Sequence, residues 1–214
     1  PTDADEQRQW AYLGLCEDLL IAGLGFSNFK KDYGFGSRPW LDFDHVSSRG
    51  LAVLDRRTGE VLWQRAAVHG FRHNAIAVGA DTLFCIDALP QPVAADLRNR
   101  GRAPASPPCL LALDIRTGRE RWRREEDVFG TWLGYSAPYD VLLQAGRHSR
   151  DMLKGEPDRR AAALRGADGV VIWDRQIEYG GPCMIVGKTV YTNSVRTDDS
   201  SFGLLDGEPL QRTH

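Results

Sequence analysis

One segment of this chain occurs twice in nearly the same form. Leu51-Ala-Val-Leu-Asp-Arg-Arg-Thr-Gly-Glu-Val-Leu-Trp63 returns as Leu110-Leu-Ala-Leu-Asp-Ile-Arg-Thr-Gly-Arg-Glu-Arg-Trp122. Both copies run apolar residues up to an Asp, place Thr-Gly three residues later and close on a Trp four residues after the Gly. A looser copy, Ala162-Ala-Leu-Arg-Gly-Ala-Asp-Gly-Val-Val-Ile-Trp173, has Arg165 at the Asp position and Asp168 at the Thr position. Phe202-Gly-Leu-Leu-Asp-Gly-Glu-Pro-Leu-Gln211 keeps only the turn Gly. Gly59, Gly118, Gly169 and Gly207 set a period of a few tens of residues, the signature of a repeat architecture in which each unit buries its apolar face on its neighbours.

Each copy reads as a β-hairpin. The apolar run is one strand, Thr-Gly is the turn, and the Trp lies on the return strand. Gly supplies the positive φ of a tight turn, and an Asp carboxylate accepts backbone N–H groups a few residues on. The Trp lays a large ring against a neighbouring unit, with its indole N–H in need of an acceptor. Asp55, Thr58, Gly59, Trp63, Asp114, Thr117, Gly118, Trp122 and Trp173 are therefore scaffold residues. Between hairpins lie two further strand-like runs per repeat, such as Asn74–Val78 with Thr82–Ile86, Trp132–Ser136 with Val141–Ala145, and Cys183–Val186 with Thr189–Thr192. Trp10–Leu15 and Leu19–Ala22 complete the first repeat. The expected unit is four short antiparallel strands, the blade of a β-propeller. Residues 1–68, 69–125 and 126–177 form three blades, and 178–214 form an incomplete fourth.

Composition agrees with an all-β reading. Of 214 residues, 22 are Gly and 11 Pro, with six Trp, six Tyr and eight Phe, as in chains of short strands and many turns. The 27 basic and 29 acidic residues leave a net charge of −2, which offers no field for a phosphate backbone, so nucleic acid is not an expected partner. No apolar run approaches the ~18 residues of a membrane-spanning helix. Cys16, Cys85, Cys109 and Cys183 are far apart and without His at ligand spacing, so no zinc or other metal site is expected. Cys85 and Cys109 bracket a polar insert. They are a disulfide or, as their apolar flanks favour, two buried thiols.

The hairpin signature A-x-D-x-x-T-G-x-x-x-W, complete from Ala112 to Trp122 and changed only at Val53 in the first copy, resembles that of the PQQ-type propeller repeats over essentially the whole chain. Val128-Phe-Gly-Thr-Trp-Leu-Gly-Tyr-Ser136, Ser149-Arg-Asp-Met152 and Gly180-Gly-Pro-Cys-Met184 look like segments of large PQQ-like propeller proteins of planctomycete-type bacteria. The resemblance implies a partial propeller, about half of an eight-bladed ring, and a periplasmic or exported location. The superfamily includes quinoprotein alcohol dehydrogenases, which hold PQQ and Ca²⁺ over the central channel, and the non-catalytic lipoprotein BamB. Many such dehydrogenases carry adjacent cysteines over the cofactor; no two cysteines are adjacent here. The leading expectation is a scaffold that binds a protein or small molecule. The alternative is part of a PQQ-dependent alcohol or sugar dehydrogenase.

Meander topology puts the long connections 24–50, 87–109, 146–160 and 194–201 at one end of the blades, joined there by blade-to-blade links around 69–74, 125–130 and 178–182. Long loops on a rigid frame are where binding resides. Three groups stand out. In His69-Gly-Phe-Arg-His-Asn74, the residues Arg72, His73 and Asn74 are able to hold an anion or a carbonyl-rich ligand. The loop 146–160 brings Arg147, His148, Arg150 and Asp151 as a polar wall. The aromatic loop with Phe26, Phe29, Tyr33, Phe35 and Trp40 reads first as a small core of its own. Tyr179 and Cys183 are placed towards the channel, with nothing nearby to lower the thiol pKa.

Overall fold

The computed structural model describes residues 9–29, 33, 47–79, 81–130, 132–146, 160–177, 180–193 and 201–210. Of the residues singled out above, Phe35, Trp40, Arg147, His148, Arg150, Asp151 and Tyr179 lie outside them. The chain forms two compact units, residues 1–128 and 129–214.

In the first unit seven strands form one antiparallel sheet in sequence order: β1 (Trp10–Cys16), β2 (Leu19–Phe26), β3 (Ser47–Asp55), β4 (Val61–Val78), β5 (Thr82–Asp87), β6 (Cys109–Asp114) and β7 (Glu120–Arg124). β4 is the return strand of the first blade up to about Val68 and the leading strand of the second beyond it. The link expected around 69–74 is therefore continuous strand. The turn between blades is made within the strand, where pairing jumps from Gly50↔Ala66 to Ser48↔Phe71 and again between Phe71 and Ile76. Such bulges bend a strand and raise its twist without ending it.

The polar connection between β5 and β6 contains a helix, α1 (Gln91–Asn99). A Pro in its first turn costs no hydrogen bond there. Val93, Ala94 and Leu97 recur on one face and are buried.

The core of this unit lies between its two blades. Leu19, Ile21, Leu51 and Val53 of the first face Leu83, Cys85, Leu111 and Leu113 of the second. Alternation along each strand puts Ala22, Ala52 and Leu54 on the opposite face of the first blade. Cys85 and Cys109 are buried free thiols, as is Cys183; the disulfide alternative is not realised.

The second unit contains a four-stranded sheet of β8 (Trp132–Ser136), β9 (Val141–Ala145), β10 (Arg160–Arg165) and β11 (Val171–Gln176). A three-stranded sheet follows, of β12 (Gly180–Val186), β13 (Thr189–Asn193) and β14 (Ser201–Gly203). Among the described residues, Phe202 also forms an isolated antiparallel bridge with Pro209. Val141, Leu143, Ala161 and Ala163 pack against Cys183, Val190, Phe202 and Leu204.

All four repeat turns close in the same way. The amides of Asp55, Asp114, Arg165 and Gly203 donate to the carbonyls of Glu60, Arg119, Val170 and Glu208, at 2.8–2.9 Å. Gly59, Gly118, Gly169 and Gly207 donate back to Asp55, Asp114, Arg165 and Gly203. The amides of Arg56, Ile115, Gly166 and Leu204 donate to the carbonyls of Asp18, Asp81, Asp140 and Lys188, tying the two tight turns of each blade together. The fourth copy, reduced in sequence to its Gly, keeps the whole backbone pattern.

Candidate functional site

The repeat side chains do structural work. Asp55 Oδ1 accepts the amides of Arg57 and Thr58, each at 2.8 Å, and these bonds hold its carboxyl below the usual range. Asp114 is lowered further, to about 2, by hydrogen bonds from Arg121 and Thr117. In the third copy the exchanged residues pair with each other: Arg165 Nε lies 2.8 Å from Asp168 Oδ1. Trp63 donates Nε1–H to Ile115 O at 2.8 Å, and its ring lies over Gly118. Trp173 repeats this on Leu204 O at 2.8 Å and Gly207, with its ring edge-to-face with Phe202. Each acceptor is the residue after the Asp position. A Cβ on Gly118 would lie 2.7 Å from the indole, so the Gly is demanded by the ring as well as by its φ of +68°. Trp122 packs at 5.9 Å from Phe84.

The His69–Asn74 group is distributed along β4. Arg72 is buried and donates Nη2–H to Leu89 O at 2.9 Å, so its guanidinium anchors the start of the long β5–β6 connection. His73 is half-buried, with Nε2 2.7 Å from Ser48 Oγ and its ring centroid about 6 Å from those of Tyr12 and Phe26. Burial lowers its pKa to about 4, so the imidazole is neutral near pH 7. Ser48 is fully buried, which keeps its hydroxyl from any substrate and removes the pair from nucleophilic chemistry. Asn74 is the exposed member of the three.

The best-built polar centre of the region lies one step earlier and rests on a residue that the sequence did not single out. Asp87, buried at the end of β5, accepts three consecutive backbone N–H groups of β4. Val68 N is 2.6 Å from Oδ2, and His69 N and Gly70 N are each 2.9 Å from Oδ1. These amides are turned off the ladder by the bulge between blades, and the carboxylate replaces the lost partners. An Asp closing the apolar run Leu83-Phe-Cys-Ile86 was the available signal.

This clamp sets His69 against the long connection. Its Nε2 lies 3.0 Å from the Ser106 carbonyl, which can only accept, so Nε2 carries the proton. Nδ1 is left to meet the Tyr33 hydroxyl at 3.2 Å. Tyr33 stacks on Phe29, which is buried against Gly70 of β4; Phe35 and Trp40 of the same loop lie outside the described residues. Beside His69, a pocket of about 440 Å³ opens between α1 and the segment 104–108. Leu89, Ala94, Pro104, Pro107 and Pro108 give it an apolar wall; Gln91, Arg98 and Ser106 supply polar groups.

Among the described residues no group of three or more His, Cys, Asp or Glu side chains is placed to hold a metal ion. The buried thiols of Cys85 and Cys183 are raised by desolvation, the latter to about 12. Among the described residues neither a carboxylate cluster for Ca²⁺ nor a reactive thiol pair is assembled, and these residues do not fit a quinone–Ca²⁺ site. No helix of the described residues is long and apolar enough to cross a membrane.

No family model and no curated protein matches the sequence. Solved structures do match its fold. BamB from Moraxella catarrhalis superposes with a TM-score of 0.55 at 14% identity, over 97% of this chain and 48% of that one. Hydrazine synthase of Kuenenia stuttgartiensis gives 0.55 at 13%, over 98% and 49%. A europium-containing methanol dehydrogenase gives 0.50 at 13%, over 93% and 40%. The chain thus has the PQQ-like β-propeller fold and spans half or less of the length of these proteins.

Proposed function

We propose that the chain is a binding scaffold whose ligand, a small molecule or a segment of another protein, enters the pocket beside His69. The observation that carries this reading is the way the pocket is built. Its walls come from the longest described connection, and its floor is fixed by the Asp87 clamp and by the Arg72–Leu89 tie. An apolar wall with few polar groups and a shape held by buried hydrogen bonds is what a preformed ligand site requires. Arg98 at the rim and the prolines behind it suit a small amphipathic anion, the carboxylate on the guanidinium and the apolar body on Leu89 and Ala94. By resemblance, a periplasmic or exported location belongs to the same proposal.

The test is a titration of the protein with benzoate and with neutral benzamide, followed by amide NMR shifts of α1 and residues 104–108. Benzoate is expected to shift these amides more than benzamide, and Ala94→Trp, which fills the pocket, is expected to abolish the shifts while the protein stays folded. Uniform or absent shifts would refute the site. A parallel titration with PQQ and Ca²⁺, read by quinone absorbance and dye-linked alcohol oxidation, addresses catalysis; stoichiometric uptake with turnover would overturn the scaffold reading.

A further inference from the structure

The pocket beside His69 has a fixed floor, but one of its walls is held differently. That wall is Ala103-Pro-Ala-Ser-Pro-Pro108, which runs from the end of α1 to the start of β6. Both of its ends are pinned. At the helix end the amides of Gly101 and Arg102 donate to the carbonyls of Arg98 and Leu97, each at 2.9 Å, around Gly101 at φ +69°. At the sheet end Cys109 pairs with Asp87. Between the pins the residues are exposed or half-exposed, and among the described residues one hydrogen-bonded tie joins them to the body of the protein. The His69 Nε2–H lies 3.0 Å from the Ser106 carbonyl and 3.1 Å from its hydroxyl. With the proton on Nε2, the imidazole is a donor that ties Ser106 down and not a base that activates it.

The residue types between the pins decide how such a wall can move. Pro104, Pro107 and Pro108 fix their own φ and have no N–H to add a second tie. Each proline also holds the residue before it extended, which restricts Ala103, Ser106 and Pro107. Ala105 alone of the six is neither a proline nor followed by one, and the chain bends at Ala105 and Ser106. The wall is therefore two stiff arms joined at Ala105, with the tie on the residue next to the joint.

We infer that residues 103–108 form a hinged strap over the pocket, latched by the His69–Ser106 bonds, and that ligand enters when the latch releases and the strap bows outward at Ala105. The entry step rests on the pocket being the ligand site proposed above; the latch and the hinge do not. Tyr33 is a positioning residue of the latch. Its hydroxyl donates to Nδ1 at 3.2 Å, which holds the proton on Nε2 and makes that N–H the stronger donor. Because the latch amounts to one shared hydrogen bond of modest net strength, its loss should raise the population of the open strap by about three- to tenfold.

The experiment measures NMR relaxation dispersion at the amides of Ala103, Ala105 and Ser106 in the whole protein and in His69→Phe, His69→Gln and Tyr33→Phe. His69→Phe keeps a ring of similar size without the N–H and should raise the open population by about three- to tenfold. His69→Gln, whose amide N–H can stand in for Nε2–H, should stay within about twofold of the parent, and Tyr33→Phe should fall between the two. The association rate of benzoate, read from line shapes, should rise in step with the open population. In the parent, ring ¹⁵N shifts should show His69 protonated on Nε2. A His69 protonated on Nδ1 instead, a parent strap with order parameters below about 0.6, or a strap unchanged in both His69→Phe and Tyr33→Phe overturns the latch. A more open strap with an unchanged benzoate association rate overturns the entry step. A strap that responds as expected in a protein that binds no benzoate defeats the pocket reading, and the entry step with it, while the latch stands.

Discussion

Asp87→Ala is the most searching test of how the candidate site is held. The substitution removes the acceptor of three backbone N–H groups at once, at Val68, His69 and Gly70, with no other change of volume beyond the carboxylate. Asp87, His69 and Gly70 are all buried, so water does not freely replace the lost oxygens. A buried donor left without an acceptor costs about 1–3 kcal/mol. The two buried donors, at His69 and Gly70, would give roughly 2–6 kcal/mol, the exposed Val68 adds less, and local opening of the bulge to water relieves part of it, leaving an expected loss of about 2–4 kcal/mol. Asp87→Asn keeps the shape. Its amide oxygen can still serve His69 and Gly70, but its NH₂ then faces the Val68 N–H, so a loss of about 1–3 kcal/mol is expected. Urea unfolding of the three proteins measures these differences, and hydrogen exchange at residues 68–70 shows whether they arise at the clamp. Losses below about 1 kcal/mol in Asp87→Ala, or exchange at 68–70 no faster than in the parent, would refute the reasoning and return the carboxylate to a minor role.

Trp173→Ala should cost about 3–5 kcal/mol, because the ring is buried between two blades and its removal opens a cavity beside Phe202 and Gly207; thermal or urea unfolding checks it. Trp63→Phe keeps most of the ring contact and loses the bond to Ile115 O, so about 1 kcal/mol is expected, with unchanged circular dichroism. His73 has a folded pKa of about 4, below its unfolded value. Its contribution is therefore complete above about pH 6.5 and is lost as the pH falls from there through 4. Discounted for partial exposure this is about 1–2 kcal/mol, and His73→Gln should flatten that part of the stability profile. Cys183, buried and with its thiol raised to about 12, should resist alkylation at pH 8 until the protein is unfolded.

The architecture was legible because the repeat joins two requirements in one short pattern. A turn Gly and a Trp four residues later are both needed when the ring of one blade lies on the turn of the next, and the docked pairs Trp63–Gly118 and Trp173–Gly207 show both at once. Strand positions followed from periodicity and turn residues. The pattern did not foretell that β4 would cross from one blade to the next without a break, because a bulge carries no residue signature of its own and Gly70 was the sole local hint. Helix α1 was hidden in a polar insert where three buried residues gave too short a stripe to stand out. Of the candidate site, the His69–Asn74 segment was visible as a polar group in a link just before an inner strand. What its members do was not, since the strand's bulges bury Arg72 with His69 and turn Asn74 outward. Asp87 escaped because an acid at a strand end is common; its meaning comes from amides seventeen to nineteen residues away in sequence.

The third and fourth repeats explain how a chain can have this fold at 13–14% identity to the structures that share it. What all four turns conserve is the backbone bond set, and side chains enter that set only through compatible φ and compact polar contacts. Asp114 and Thr117 bond each other in the second copy; Arg165 and Asp168 do so as an ion pair in the third, while Asp140 takes over an amide of the turn through Ala167 N. In the fourth, Asp206 accepts the Glu208 amide. Each solution leaves the Gly at positive φ, and in the second and fourth copies the acceptor carbonyl faces the preceding blade, so the indole docks on Ile115 and on Leu204 alike. Such a unit is held by one Gly, one ring and the alternation of buried residues. Everything at the opposite end of the blade is free to vary in length and chemistry. There the first and second blades meet at the Asp87 clamp and α1 closes over the pocket, and there the scaffold has departed furthest from its repeat.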